Sequence, residues 1–212
     1  MREIADYVVV ANGEFPVHPA AVRWLHNAPV LVCCDGAAER VIGAGLKPGA
    51  IVGDCDSLSP ETEREYHHII MRSAEQESND LTKAVRWCIE KGAEDVVILG
   101  ATGQREDHTL GNISLLAEYS AKLSVKMVTN WGTLIPLSSA STLQSFRGQV
   151  ISLFGVNNTI QVTATGLEYD VDNLTLGSWW RATLNRATGN SINIEMSHGT
   201  VIIFMQHKEG DI

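Results

Sequence analysis

No apolar stretch of this 212-residue chain approaches the length of a membrane-spanning helix, which speaks against a helical membrane anchor. Positive charge is scarce. Sixteen lysines and arginines stand against 25 aspartates and glutamates, a formal net charge of −9, so neither nucleic acid nor an anionic membrane is expected as a main partner. Cysteine is sparse and unpatterned: Cys33, Cys34, Cys55 and Cys88 form no Cys-x-x-Cys pair and no disulfide framework, which predicts a reduced, cytoplasmic protein. The segment Met1 to Asp6 is too short and too acidic for a signal peptide. Internal repeats, low-complexity tracts and the Gly-x-x-x-x-Gly-Lys-Ser/Thr spacing of a P-loop are all missing. What remains is an ordinary globular composition, 44% hydrophobic and 19% charged, sufficient for a sizeable core in one large domain or two small ones.

Up to about residue 130, short β-branched runs alternate with longer helical patterns, the signature of βαβ units and a mostly parallel sheet. Strands are predicted at Tyr7–Val10, Val30–Cys33, Ala50–Val52, His68–Met71, Val96–Leu99 and Val125–Thr129. Leu81, Ala84, Val85, Cys88 and Ile89 recur at helical spacing, with Ser78 or Asn79 as N-cap and Gly92 as stop. A second helix is predicted over residues 107–122, with Leu110, Ile113, Leu116 and Ala117 as its apolar stripe and Asp107 at its positive end. From residue 131 the texture changes to short strands and turn residues, including Val150–Phe154, Ile160–Thr163, Ser191–Glu195 and Thr200–Met205. The expected architecture is therefore an N-terminal, mostly parallel α/β domain (residues 1–130) followed by a C-terminal β-sandwich (131–212).

Acidic and glycine-bearing clusters follow the apolar runs: Asp35-Gly36, Gly53-Asp54-Cys55-Asp56-Ser57, Gln76 to Asp80 and Gly100 to His108. In an open α/β sheet, ligands bind at the carboxyl ends of strands, so these clusters should meet. Carboxylates crowded at one edge repel unless a hard cation holds them, and magnesium with a phosphorylated nucleotide suits such a site. Asp54 and Asp56, at i and i+2 of an extended segment, should point to one side; alone, the same Asp-x-Asp is also a common solvated turn. Asp80 is either a metal or water ligand or a complement to its helix dipole, and Lys83 either meets phosphate or pairs with Asp80. Gln76 and Asn79 are polar contacts or plain loop residues. The loop from Gly100 to Glu106, ahead of a helix N-terminus and carrying Arg105, suits an anion. His108 is a catalytic or a structural histidine. Trp179-Trp180 and Asn185 are either a stacking and hydrogen-bonding surface or ordinary filling of the sandwich core.

Five ordered blocks, Ala11-Asn12-Gly13-Glu14-Phe15-Pro16, Cys34-Asp35-Gly36-Ala37-Ala38, Gly53 to Leu58, Asn79 to Ala84 and Gly100 to Thr109, resemble the thiamine pyrophosphokinase family over nearly the whole chain. The resemblance implies a catalytic α/β domain, a β-sandwich that helps bind thiamine, a homodimer, and Mg²⁺ with ATP as diphosphate donor. By position it implies Asp54, Asp56 and Asp80 as magnesium and catalytic carboxylates with Arg105 as a catalytic cation. It implies Asp35, Gly36, Gln76, Asn79, Lys83, Arg105, Asp107 and His108 as nucleotide and phosphate contacts. Trp180 and Asn185 become candidate thiamine contacts, although the family's serine–asparagine pair stands here as Leu184-Asn185. Two rival readings remain at this point: a nucleotide-sugar transferase using Asp54-Cys55-Asp56, and a non-catalytic nucleotide or thiamine sensor.

Overall fold

The computed structural model describes residues 5–73 and 75–208, in two compact units: residues up to 115 with 122–130, and residues 116–121 with 131 onward. The first unit carries β1 (Tyr7–Val10), α1 (Pro19–His26), β2 (Leu31–Cys34), α2 (Ala37–Gly43), β3 (Ala50–Gly53), α3 (Pro60–Tyr66), β4 (Ile70–Arg72), α4 (Asp80–Glu90), β5 (Asp95–Leu99) and β6 (Ser124–Val128). The helix α5 (Glu106–Ser120) begins in this unit.

These six strands pair in the order β6-β5-β1-β2-β3-β4, and every pairing is parallel. Burial on both faces explains why the strands read as continuous apolar runs rather than alternations. Val8, Val10, Leu31, Cys33, Ile51, Val97 and Leu99 share a core with Ala21 and Leu25 of α1 and Ala37, Ala38 and Val41 of α2. Leu81, Ala84, Val85 and Cys88 form the buried face of α4, as their spacing predicts. Asn79 is its N-cap, accepting from the Thr82 N–H at 2.9 Å, and Gly92 ends it at φ 84.

Two expectations need correction. The strand expected at His68–Met71 begins only at Ile70, because His67–Ile69 continue α3 as a 3₁₀ turn. In α5 the buried positions are Asn112, Leu116 and Tyr119, whereas Leu110 is 52% exposed; the apolar stripe is rotated from the one the hydrophobic residues suggest.

The second unit contains two antiparallel sheets. One orders β7 (Gly132–Leu137), β9 (Val150–Gly155), β12 (Ala182–Arg186) and β14 (Val201–Gln206) as β12-β9-β14-β7. The other orders β8 (Ser141–Gln144), β10 (Gln161–Thr165), β11 (Val171–Thr175) and β13 (Ser191–Met196) as β11-β10-β13-β8. Ile135, Ile151, Leu153 and Ile203 of the first meet Leu143, Val162, Ile192 and Ile194 of the second in one core, a β-sandwich.

Candidate active site

The chain leaves β1 for β2 in one direction along the sheet and returns from β4 to β5 on the other side of β1, which makes β1/β5 the switch point where a crevice opens. Residues Ala11 to Glu14 follow β1, and Gly100 to Arg105 follow β5. Their backbones interlock: the Gly13 N–H donates to the Gly100 carbonyl at 2.7 Å and the Glu14 N–H to that of Thr102 at 2.7 Å. A cavity of about 410 Å³ sits over these ends, lined within the first unit by Asn12, Gly13, Asp35, Asp54, Gln76, Asn79, Asp80, Lys83, Arg105, His108 and Asn112, among others.

Carboxylate oxygens of Asp35, Asp54 and Asp56 all lie within 4.8 Å of one another. The structure reaches this convergence by another route than an extended segment, because Cys55 adopts a left-handed φ of 60. The Cys55 side chain is thereby buried, at 3% exposure, while the flanking carboxylates remain accessible. Asp35 is also left-handed, at φ 44; its carboxyl is buried and Oδ1 has no hydrogen-bond partner. An unpartnered buried carboxylate oxygen beside two further carboxylates is the donor set of a hard divalent cation such as Mg²⁺. Asp80 lies outside this trio. Its Oδ1 accepts from Lys83 Nζ at 3.1 Å, and Lys83, with 5% of its side chain exposed, has a specific ion-pair partner. Gly53 permits the packing: a Cβ there would stand 3.0 Å from Asp35 Cβ and 3.3 Å from the Asp80 carboxylate.

Beyond the loop after β5, α5 starts at Glu106 with acidic residues in its first turn. Arg105 grips Asp107 through Nε (3.1 Å) and a second nitrogen (2.6 Å), and Asp107 also accepts the His108 N–H at 2.9 Å. The Arg105 guanidinium holds the Asp107 carboxyl down at about 2, so the pair stays ionised at neutral pH. Arg105 and His108 line the cavity, while Asp107 serves as the partner of Arg105. Gly36 is the N-cap of α2, and a Cβ on it would lie 3.1 Å from Asn12 Nδ2.

The Asn79 carboxamide caps α4 with its oxygen and donates to Asn112 Oδ1 at 3.0 Å through its nitrogen. Asn112 in turn donates to the Ala101 carbonyl at 2.8 Å, tying α4, α5 and the loop after β5 together. Sequence reasoning passed over Asn112; a polar residue on the buried side of a helix was the available signal. Arg40 and Arg72 were also passed over, since an arginine's spacing carries no sign of which carbonyls it will reach. Arg40 donates to the Gly13 carbonyl and stacks 5.1 Å over Phe15. Replacing Asn112 by alanine should cost about 1–3 kcal/mol, because the buried Ala101 carbonyl loses its donor. Urea unfolding would measure it, and an unchanged midpoint would show that the tie contributes nothing.

In the second unit, Trp180 is 76% exposed and Trp179 44%, so neither ring fills the sandwich core. Trp179 Nε1 donates to the Gly155 carbonyl at 3.2 Å. Asn185 is buried and its carboxamide is committed: Oδ1 accepts from the N–H groups of Tyr169 (3.1 Å) and Arg186 (2.8 Å), and Nδ2 donates to the Tyr169 carbonyl (2.8 Å).

Residues 21–129 match the family model described as thiamin pyrophosphokinase, catalytic domain, and residues 132–204 the model described as thiamin pyrophosphokinase, substrate-binding domain. The chain is 29% identical to thiamine pyrophosphokinase 1 of Oryza sativa subsp. japonica, across 80% of this chain and 75% of that protein. It is 27% identical to thiamine pyrophosphokinase of Bacillus subtilis, across 80% and 84%. In fold it is similar to the crystal structure of the Bacillus subtilis enzyme (TM-score 0.80, 22% identity, 95% of this chain and 99% of that one). The Candida albicans structure is similar too (TM-score 0.78, 19% identity, 96% and 90%).

Proposed function

The chain belongs to the thiamin pyrophosphokinase family, and from that premise we propose how its residues transfer the diphosphate of ATP to thiamine. The observation that carries the reading is the convergence of Asp56 with Asp35 and Asp54, the latter two lining the cavity at the sheet's switch point. The hydroxyl oxygen of thiamine bonds to the β-phosphorus of ATP, the bond from that phosphorus to the α–β bridging oxygen breaks, and AMP leaves with that oxygen. The hydroxyl proton is released.

Positioning and charge neutralisation do most of such chemistry. Asp35, Asp54 and Asp56 would hold Mg²⁺, which when bound supplies neutralisation of donor phosphate charge. Lys83 fixes the Asp80 carboxylate, placing it to orient the attacking hydroxyl. Gln76, Asn79 and His108 line the cavity, where they would border the nucleotide, and Arg105, held by Asp107 in the free protein, would turn to the phosphates. Trp180 offers an open face on which a cationic ring stacks, and Asn185 contributes by holding the Tyr169 peptide. We further assign a homodimer acting in the cytoplasm, where the four free, buried cysteines suit a reducing milieu. No helix among the described residues is long and apolar enough to cross a membrane. A nucleotide-sugar transferase or a sensor is not favoured, since both domains match the same enzyme family.

With thiamine, ATP and Mg²⁺, AMP and thiamine diphosphate should appear in equal amounts, and chelation with EDTA should abolish both. ADP with thiamine monophosphate would mean single phosphoryl transfer and refute the reading.

A further inference from the structure

Arg72 ends β4, the edge strand paired with β3 in the register Gly53↔Arg72. Its side chain folds over the loop that continues from β3, donating to the Asp54 carbonyl at 2.9 Å and the Cys55 carbonyl at 3.3 Å. The same guanidinium is anchored from outside by Glu63 of α3. One guanidinium nitrogen, Nη1, therefore holds both carbonyls at the turn at Cys55 while Nη2 holds Glu63, and the left-handed φ of 60 at Cys55 is a conformation that side-chain-bearing residues disfavour. That turn is what brings the carboxylates of Asp54 and Asp56 to one place beside Asp35.

We propose that Arg72 is a positioning residue for divalent-cation binding, acting through the Asp54 and Cys55 carbonyls rather than by touching substrate. The inference rests on the metal-dependent reading given above. It makes an unusual prediction about sign. Arg72 is a cation near a carboxylate cluster and, judged by charge alone, opposes metal binding; its removal would then tighten binding. As a clasp it favours binding, and its removal loosens the loop.

Lysine keeps the charge but lacks the second nitrogen that lets Arg72 hold the two carbonyls and Glu63 at once, whereas methionine keeps the unbranched stem and removes both the charge and the donors. The test is Mn²⁺ binding to the free protein, followed by electron paramagnetic resonance, for the unsubstituted chain, Arg72→Lys and Arg72→Met, with melting temperatures recorded in parallel. The clasp predicts that both variants bind Mn²⁺ about 10- to 100-fold more weakly, the range found when groups supporting metal ligands are removed. The Mg²⁺ concentration for half-maximal transfer should rise in step. Tighter binding by Arg72→Met with unchanged binding by Arg72→Lys would overturn the proposal in favour of simple charge. Lower melting temperatures with unchanged Mn²⁺ binding would overturn it in favour of a purely structural role. No Mn²⁺ binding by the unsubstituted chain would overturn the metal reading itself, and the role of Arg72 with it.

Discussion

Replacing Asp54 by asparagine should lower kcat by on the order of 10²–10³-fold, the loss seen when one preorganised electrostatic group is removed from an active site. Asp56→Asn should do the same. The amide keeps the shape but exchanges one acceptor oxygen for a donor and lacks the charge with which the trio would hold a hard cation. The accompanying change in stability runs the other way. In the metal-free protein the three carboxylates lie within 4.8 Å of one another and repel, so deleting one charge should leave the melting temperature unchanged or raise it. Full turnover by either variant would remove these residues from the chemistry. Lost turnover with a collapsed melting temperature would make them structural.

Gly13→Ala should destabilise the first unit by about 3 kcal/mol, the upper end for forcing atoms into a packed place. The added Cβ would stand 2.5 Å from the carbonyl oxygens of both Gly100 and Thr102, and neither belongs to a flexible side chain that could yield. If the 212-residue chain unfolds as one, that loss lowers the melting temperature by roughly 6–12 °C. Activity should fall as well, because the strained contact joins the two loops that form the cavity floor. Gly111→Ala is the natural control. Its Cβ meets nothing within 4 Å on the exposed side of α5, so the same chemical change should stabilise by about 0.5–1 kcal/mol through helix propensity. If both variants melt alike, the close approach at Gly13 is not what holds the loops together.

Much of the first unit was legible because its elements announce themselves locally. A parallel strand buried on both faces must be apolar throughout, and Tyr7–Val10 and Ala50–Gly53 are so. The boundaries of α4 were readable because capping at Asn79 and termination at Gly92 are decided within a few residues. The second unit was less legible. Strands such as Val171–Thr175 and Ala182–Arg186 are sheet edges with polar outer faces, and the register of β12 against β9 shifts at Thr183-Leu184, which blurs any alternation.

Sequence alone determined the apolar strands and the acidic and glycine-bearing clusters that follow them, in an order that identifies the family. Tertiary structure decided how they are used. It placed Asp35 with Asp54 and Asp56, paired Asp80 with Lys83, and spent Asn79, Asn112 and Asn185 on holding backbone in place. It also reached the carboxylate convergence through a left-handed turn at Cys55 that Arg72 spans from a neighbouring strand. The physical reason is range. Strand burial, caps and helix periodicity depend on neighbours a few residues away, whereas the partner of a carboxylate or a peptide carbonyl depends on which distant segments the sheet order lays side by side.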